Sequence, residues 1–394
     1  MFKIIILVTA LLTHGAVNLG QVHRLLQTDS LFEAKYTYVK EAEKAIYLVD
    51  ISNLSEVQIA SLTGTGSVYS PLISPNGKWL TFWFGSQSGG TVYVCELKAN
   101  AQLHTVGSGF DPHWWVNPST GKVNLVYPTG FEGMNFPQVN GSTILREIDT
   151  VTLEAASKAD TLIPYSFNAG LSPYGQFMAT AYMSTDLYDI HNKFHYSLNG
   201  GLQACNASIT PSKASSEQDL TLMLGLGITI DDISYAVHEV FYIRNRTDEI
   251  VWYQEMVPGI DEWQKPEWST HRNYAAALGR RTGTSIYDAY LIKIDSGFTP
   301  LSKTSDYSPV KIKEGLTFGS FPHFYLADDP VPIASRGSLA MRDSVVIGKL
   351  ISSPPPKREE KNGFCGQGAL MATLFLIVIG KREKRKLEKK NEKQ

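Results

Sequence analysis

The stretch Leu72 to Trp83, LISPNGKWLTFW, reads as a tight turn set between two β-strands. The side chains of Ser74 and Asn76 can hydrogen-bond their own backbone, Pro75 presets φ, and Gly77 supplies the positive φ that closes the turn. KWLTFW, which follows, is rich in aromatic and β-forming residues and has no helical period. The design returns along the chain. Asn117-Pro118-Ser119-Thr120-Gly121 opens onto KVNLVY, and Ser172-Pro173-Tyr174-Gly175 opens onto QFMATAY. Weaker copies follow at Thr210-Pro211-Ser212-Lys213, in PEWSTHRNYAAALG (266–279) and in PHFYLADDP (322–330).

Most units continue into a further strand with an acidic or polar end, as in IYLVDI (46–51), VYVCEL (92–97), ILREID (144–149), IVWYQE (250–255) and AYLIKI (289–294). A unit recurring at this length, with four strands in succession, is one propeller blade. An incomplete first unit covers about 34–70, and later ones start near 71, 112, 169, 207, 266 and 322. The expected fold is therefore an all-β propeller over residues 34–350 with six four-stranded blades. The segment 322–350 would close the ring against the first blade, and a seventh would result if it stood alone. Long amphipathic helical patterns are absent, which excludes α/β folds and helical solenoids.

The unit SPNGKWLTF resembles the S-P-D-G-x-x-I-A-F repeat of WD40-like, TolB-type β-propellers, with Asn76 in the place of the usual Asp. The resemblance covers residues 34 to 340. It implies the fold and leaves function open, because propellers host binding, scaffolding and catalysis alike.

With 394 residues, a net charge of −2 and no basic stripe in the body, the chain is not expected to bind nucleic acid. Its start places Lys3 ahead of an apolar run, Ile4 to Leu12, and small residues, the layout of a signal peptide over 1–20. Near the other end, a Pro-rich charged linker (351–362) leads into an uncharged apolar stretch, Gly363 to Gly380, and a basic tail (381–394). The expectation is a membrane segment with a cytoplasmic tail and an exported body anchored at the cell envelope. Cys365-Gly366, the apolar stretch and the basic cluster also resemble the sorting tails of exported bacterial surface proteins. Of the three cysteines, Cys95 and Cys205 are expected as buried free thiols, and no C-x-x-C spacing occurs.

Common catalytic motifs fail on single residues. GSQSGG (85–90) puts Gln87 where a serine-hydrolase nucleophile belongs. His238-Glu239 begins like a zincin, but Tyr242 stands where the second His is needed. No cofactor is indicated.

Aligning the units on the innermost strand isolates two columns. The residue after each Pro-like position gives Leu72, His113, Gly170, Ser208, Glu267 and His323; two positions earlier stand Ser70, Asp111, Asn168, Asn206, Lys265 and Phe321. Strand alternation places both columns on the channel side. Asp111, His113, Glu267 and His323 are thus the candidates for a polar ligand or a metal at the channel mouth. Trp114, Trp115, Trp268 and Phe324 are expected to pack between blades. Two segments, 183–196 and 255–268, read as long loops, with Tyr188, His191, His195 and Trp263 as a candidate binding face. The leading expectation is a non-enzymatic envelope module that binds a protein or a glycan. The alternative is an extracellular propeller-fold glycoside hydrolase or polysaccharide lyase using Asp111 and Glu267.

Overall fold

The computed structural model describes residues 22, 33–51, 55–86, 89–130, 141–163, 169–181, 185–211, 220–294, 302–303, 309–327 and 350–351. All belong to the first of two compact units, Met1–Pro355; the second, Pro356–Gln394, lies outside the described residues. The expected signal peptide, apolar stretch and basic tail lie outside them too. Among the described residues, no helix is long and apolar enough to cross a membrane.

The described strands form six separate sheets, antiparallel throughout except where β23 (Ser302–Lys303) runs parallel to its neighbour. Blade 1 takes β1 (Glu33–Lys40), β2 (Ala45–Asp50) and β3 (Ser55–Ser61), and its innermost strand is β25 (His323–Ala327). Blade 2 is β4 (Ser67–Ile73), β5 (Trp79–Ser86), β6 (Gly89–Glu96) and β7 (His104–Gly109). Blade 3 is β8 (His113–Val116), β9 (Val123–Thr129), β10 (Ser142–Glu147) and β11 (Asp160–Ile163). Blade 4 is β12 (Ala169–Leu171), β13 (Phe177–Ala181), β14 (Thr185–Asp189) and β15 (Phe194–Leu198). Blade 5 is β16 (Cys205–Ile209), β17 (Thr221–Ile230), β18 (Ile233–Arg244) and β19 (Ile250–Glu255). Blade 6 is β20 (Ile260–Trp268), β21 (Tyr274–Arg281), β22 (Tyr287–Lys293) and β24 (Val310–Leu316). Two-residue strands extend blades 5 and 4 at their outer edges: β23 (Ser302–Lys303) beside β19 and β26 (Leu350–Ile351) beside β15.

The repeat starts read from the sequence fall on the six innermost strands, and the ring closes as expected. β25, near the C-terminal end of the described body, pairs antiparallel with β1, with Tyr36 opposite Phe324 and Thr37 opposite His323. Such closure completes the first blade by covering the inner edge of β1, so that the ring keeps only short, protected edges.

The turn chemistry is as written in the sequence. In blade 2, Gly77 N–H donates to Ser74 carbonyl oxygen at 2.9 Å with Gly77 at φ +69°, and the Asn76 side chain accepts from Lys78 N–H at 3.1 Å. Gly77 also lies against the Tyr325 ring of blade 1, so a Cβ there would stand 2.4 Å from that ring. Neighbouring blades are joined by indoles and hydroxyls. Trp114 Nε1 donates to Leu72 carbonyl at 2.9 Å, Trp115 Nε1 to Gly175 carbonyl at 2.8 Å, and Ser172 Oγ to Thr210 carbonyl at 3.1 Å. Trp114, Trp115, Trp268 and Phe324 are all buried, which places them in the interblade core as expected.

Two expectations are corrected here. Segment 183–196 is not a long loop: β14 and β15 form a hairpin, Tyr188 opposite His195, closed by a short turn in which Asp189 accepts from His191 and Asn192 N–H. Tyr188 is buried in the core, while His191 lies exposed in the turn. Segment 255–268 ends in the innermost strand β20, where Trp263 is fully buried between Phe241 and Tyr290. These residues read as loop because Asp, His and Asn crowd a tight turn in one case, and a bulge breaks the strand alternation in the other. Cys95 is the expected buried free thiol, but Cys205 is disulfide-bonded.

Candidate functional site in the central channel

Each innermost strand carries the pattern x-Pro-x or x-Ala-x at its channel side, and the first x has an unusual backbone. Ser70, Asp111, Asn206, Lys265 and Phe321 all adopt positive φ, between 37° and 50°. Asn168, the sixth member of that column, lies outside the described residues. In blades 2, 5 and 6 the cause is one extra residue in the inner strand: pairing jumps between Tyr69 and Leu72, between Cys205 and Ser208, and between Gln264 and Glu267. A bulge with its first residue left-handed turns the strand, and a Pro beside it gives up no ladder hydrogen bond. The two columns are therefore related by a bulge and not by simple alternation. Asp and Asn tolerate this conformation; Lys265 and Phe321 hold it under strain.

Beyond the bulge, residues from all six blades converge. Leu72, His113, Leu171, Ile209, Glu267 and His323 are among those lining a space of about 30 Å³ on the axis. That is room for about one or two water molecules. The column member in blade 4, Gly170, explains part of this tightness. A Cβ on it would stand 2.4 Å from Ala207 oxygen and from Ser208 Cα, so blades 4 and 5 meet backbone to backbone.

The polar members form a chain around the axis. Ser208 Oγ donates to Glu267 Oε1 at 2.6 Å and accepts from Trp268 N–H at 3.1 Å. Burial pushes the Glu267 carboxyl up to about 7, with Asp111 adding to the rise and His113 and Ser208 opposing it. Burial disfavours the charged ring of His113, but Asp111 Oδ2, 3.5 Å from Nε2, and Glu267 outweigh it, so its net shift is upward. His323 behaves oppositely. Burial and the neighbouring His113 lower it to about 3, and its Nδ1 accepts Ile73 N–H at 3.1 Å. A neutral ring with Nδ1 occupied carries its proton on Nε2.

The structure thus brings Asp111, His113, Glu267 and His323 into one electrostatic neighbourhood, as the column alignment anticipated. It does not make them a metal centre. Among the described residues no three His, Cys, Asp or Glu side chains are arranged to hold an ion, and His323 offers a donor N–H where a ligand would need a lone pair. Tyr188 and Trp263, expected on a binding face, are core residues instead.

Two features escaped the sequence reading. The first is Lys265, 8% exposed, with Nζ 3.1 Å from the centroid of Phe321 and 4.2 Å from that of Phe318. Its place in the earlier column was visible, but its burial was not. The second is His238, buried at φ +64°, with Nδ1 3.1 Å from Glu262 Oε1 and Nε2 3.4 Å from Cys205 Sγ. Burial would raise Glu262, but His238, Gln264 and Arg280 outweigh it and hold the carboxyl low. His238 binds β18 to the inner strands of blades 5 and 6, a structural use of the residue that failed the zincin pattern.

No protein-family model matches the chain, and no curated protein matches it. Solved structures do resemble it. TolB from Acinetobacter baumannii matches over 74% of this chain at 12% identity with a TM-score of 0.48, and the chain spans 66% of that protein's length. A putative TolB from Agrobacterium tumefaciens matches over 75% of this chain and 98% of its own, at 10% identity and a TM-score of 0.42. Kuenenia stuttgartiensis hydrazine synthase matches over 66% of this chain and 74% of its own, at 13% identity and a TM-score of 0.40. TolB-type proteins are thus among the structures this chain is similar to. At these identities the likeness is one of fold.

Proposed function

We propose that this propeller is an exported, envelope-anchored binding module that takes a protein partner on one face of the ring. The observation that carries the proposal is the hairpin of blade 5. β16 pairs with β17 only over Thr221–Leu224 and β19 pairs with β18 only over Val240–Arg244, yet β17 and β18 run on together to Ile230 and Ile233. The hairpin therefore extends past its own blade and exposes Ile233 and Val237, 47% and 48% accessible. Leu202, between β15 and β16, and Ile286, between β21 and β22, are exposed as well.

In an up-and-down blade, the turn between second and third strands opens on the same face as the link to the next blade. All four side chains therefore belong to one face. Among the described residues, the remaining exposed large apolar side chain, Val151, lies on the opposite face. Ile233 and Val237 stand exposed together on one projecting hairpin, and that is the apolar contact this reading offers a protein partner. The cavity at Glu267 is too small for a sugar ring, which weighs against the glycosidase alternative at the Asp111–Glu267 pair. Support for the address comes from the Lys3-led apolar start and from Gly363–Gly380 with its basic tail.

A photo-crosslinking residue at position 233 in intact cells tests the binding face. A discrete crosslinked protein is expected from position 233, lost on Val237→Asp, and absent from a probe at position 151. Equal products from both positions would remove the assignment. Deleting residues 363–394 should release the body from the membrane fraction; sedimentation unchanged by the deletion would remove the anchor.

A further inference from the structure

His113, His323 and Glu267 line the axial cavity together, and each brings to it a polar atom that the protein leaves uncommitted. His323 Nδ1 accepts Ile73 N–H at 3.1 Å, so the neutral ring carries a free N–H at Nε2. Ser208 holds Glu267 Oε1 at 2.6 Å, and Oε2 is left over. His113 Nε2 is buried without a hydrogen-bond partner, although Asp111 Oδ2 stands 3.5 Å away. A buried donor left without an acceptor is costly and calls for an explanation.

The rest of the wall is largely apolar. Leu72, Leu171 and Ile209 contribute methyl groups, and Trp114 and Trp268 contribute ring surface. Asp111 favours the charged form of His113, so that pair is close to neutral in sum. Lys265, two residues ahead of Glu267, packs its amine on Phe318 and Phe321, and burial holds that amine well below its ordinary value. Glu267 therefore decides the charge of the cavity. With its carboxyl pushed up to about 7, both of its forms are populated near neutrality. The ionised form repels an anion, whereas the protonated form offers an O–H donor beside the two imidazoles.

We propose that this cavity binds a small monovalent anion, a halide or formate, taken up together with the proton that neutralises Glu267. His323 Nε2–H, the charged His113 ring and the Glu267 O–H supply the donors, and the apolar wall suits an ion that gives up its hydration readily. The space of about 30 Å³ matches a monatomic ion or formate in size. One proton on Glu267 balances one negative charge, so a dianion such as sulfate is disfavoured. Pro75, Pro173 and Pro211, from the turns that follow inner strands, line the same cavity, which sets it toward the face opposite the blade 5 hairpin. This site is separate from that hairpin and does not depend on it.

Fluorescence titration of the full chain with bromide tests the proposal, because Trp114 and Trp268 line the cavity and bromide quenches an indole on contact. Quenching should saturate, be reversed by chloride or formate, and be insensitive to sulfate at matched ionic strength. Affinity should fall about tenfold or more between pH 6 and pH 8, as a proton lost near 7 requires. Glu267→Gln should keep binding and remove most of that pH dependence. His113→Gln should weaken bromide about tenfold at pH 6, through the loss of a charge-assisted contact. Should His113→Gln fail to fold, Glu267→Gln decides alone: a pH dependence as steep as that of the wild type would overturn the proposal. So would quenching that rises linearly without saturating, equal competition by sulfate, or bromide affinity unchanged in a folded His113→Gln variant.

Discussion

Burial holds the Glu267 carboxyl near pH 7, and the consequence for stability has a definite sign. A folded value above the unfolded one, about 4.3, means that the native state binds this proton more tightly. Its contribution is complete below about pH 4 and is lost as pH rises through 7. Converted at 1.36 kcal/mol per unit, the penalty for ionised Glu267 is at most about 4 kcal/mol, and less because the residue keeps some solvent exposure. Glu267→Gln keeps an acceptor for Ser208 Oγ and removes the titration. Urea unfolding should show the variant about 1 to 3 kcal/mol more stable than wild type at pH 8, with the difference shrinking through the window between 7 and about 4 and vanishing below about pH 4. A constant difference across that range would mean that Glu267 does not titrate as its surroundings dictate. The alignment of column residues exposed Glu267 as a channel group. Its proton affinity was not readable there, because it depends on Ser208, Asp111 and His113 from two other blades.

The strands show the same division. Gly170 was visible only as a gap in a column, whereas the packing of β12 on β16 makes it obligatory. Both nearest atoms to an added Cβ belong to backbone, and no flexible side chain can yield. Gly170→Ala should therefore destabilise the protein by about 2 to 3 kcal/mol. Gly121, at φ +71° with nothing within 4 Å of its Cβ position, is the matched control, since Gly121→Ala costs only the left-handed strain of about 1 kcal/mol. Denaturant midpoints for the two variants decide the matter; equal losses would show that blades 4 and 5 can separate without penalty. The misread loops at 183–196 and 255–268 belong to this scale. Period-2 alternation identifies strands when it is unbroken, and the bulge at Lys265-Pro266 breaks it in β20.

At the scale of the ring, stability rests on a strand near the C-terminal end of the body completing the first blade. Phe324 of β25 is fully buried, 5.3 Å from Tyr36, in a cluster that also takes Tyr274 and Leu278 of blade 6. Phe324→Ala should cost about 3 to 5 kcal/mol. Because the lost contacts join chain segments nearly the whole body apart, hydrogen exchange should accelerate together in β1, β21 and β25. Acceleration confined to β25 would mean that the closing strand is an accessory to a ring that holds without it.

What the sequence determined by itself was everything local and repeated. A turn such as Ser74-Pro75-Asn76-Gly77 is specified within four residues, and its recurrence ahead of β-forming runs is enough to count six blades, locate six inner strands and predict closure by the last. The tertiary structure alone decided what happens where those strands converge. The left-handed bulges at Ser70, Asn206 and Lys265, the contact of Ser208 with Glu267, the buried amine of Lys265 and the small axial cavity all depend on how closely six separate strands approach one axis. So does the projecting hairpin, since β17 and β18 are longer than their neighbours only by comparison with where β16 and β19 stop. The physical reason is range: a turn is an interaction among neighbours in sequence, while the channel is made of residues 30 to 250 positions apart whose burial and charge are set by each other.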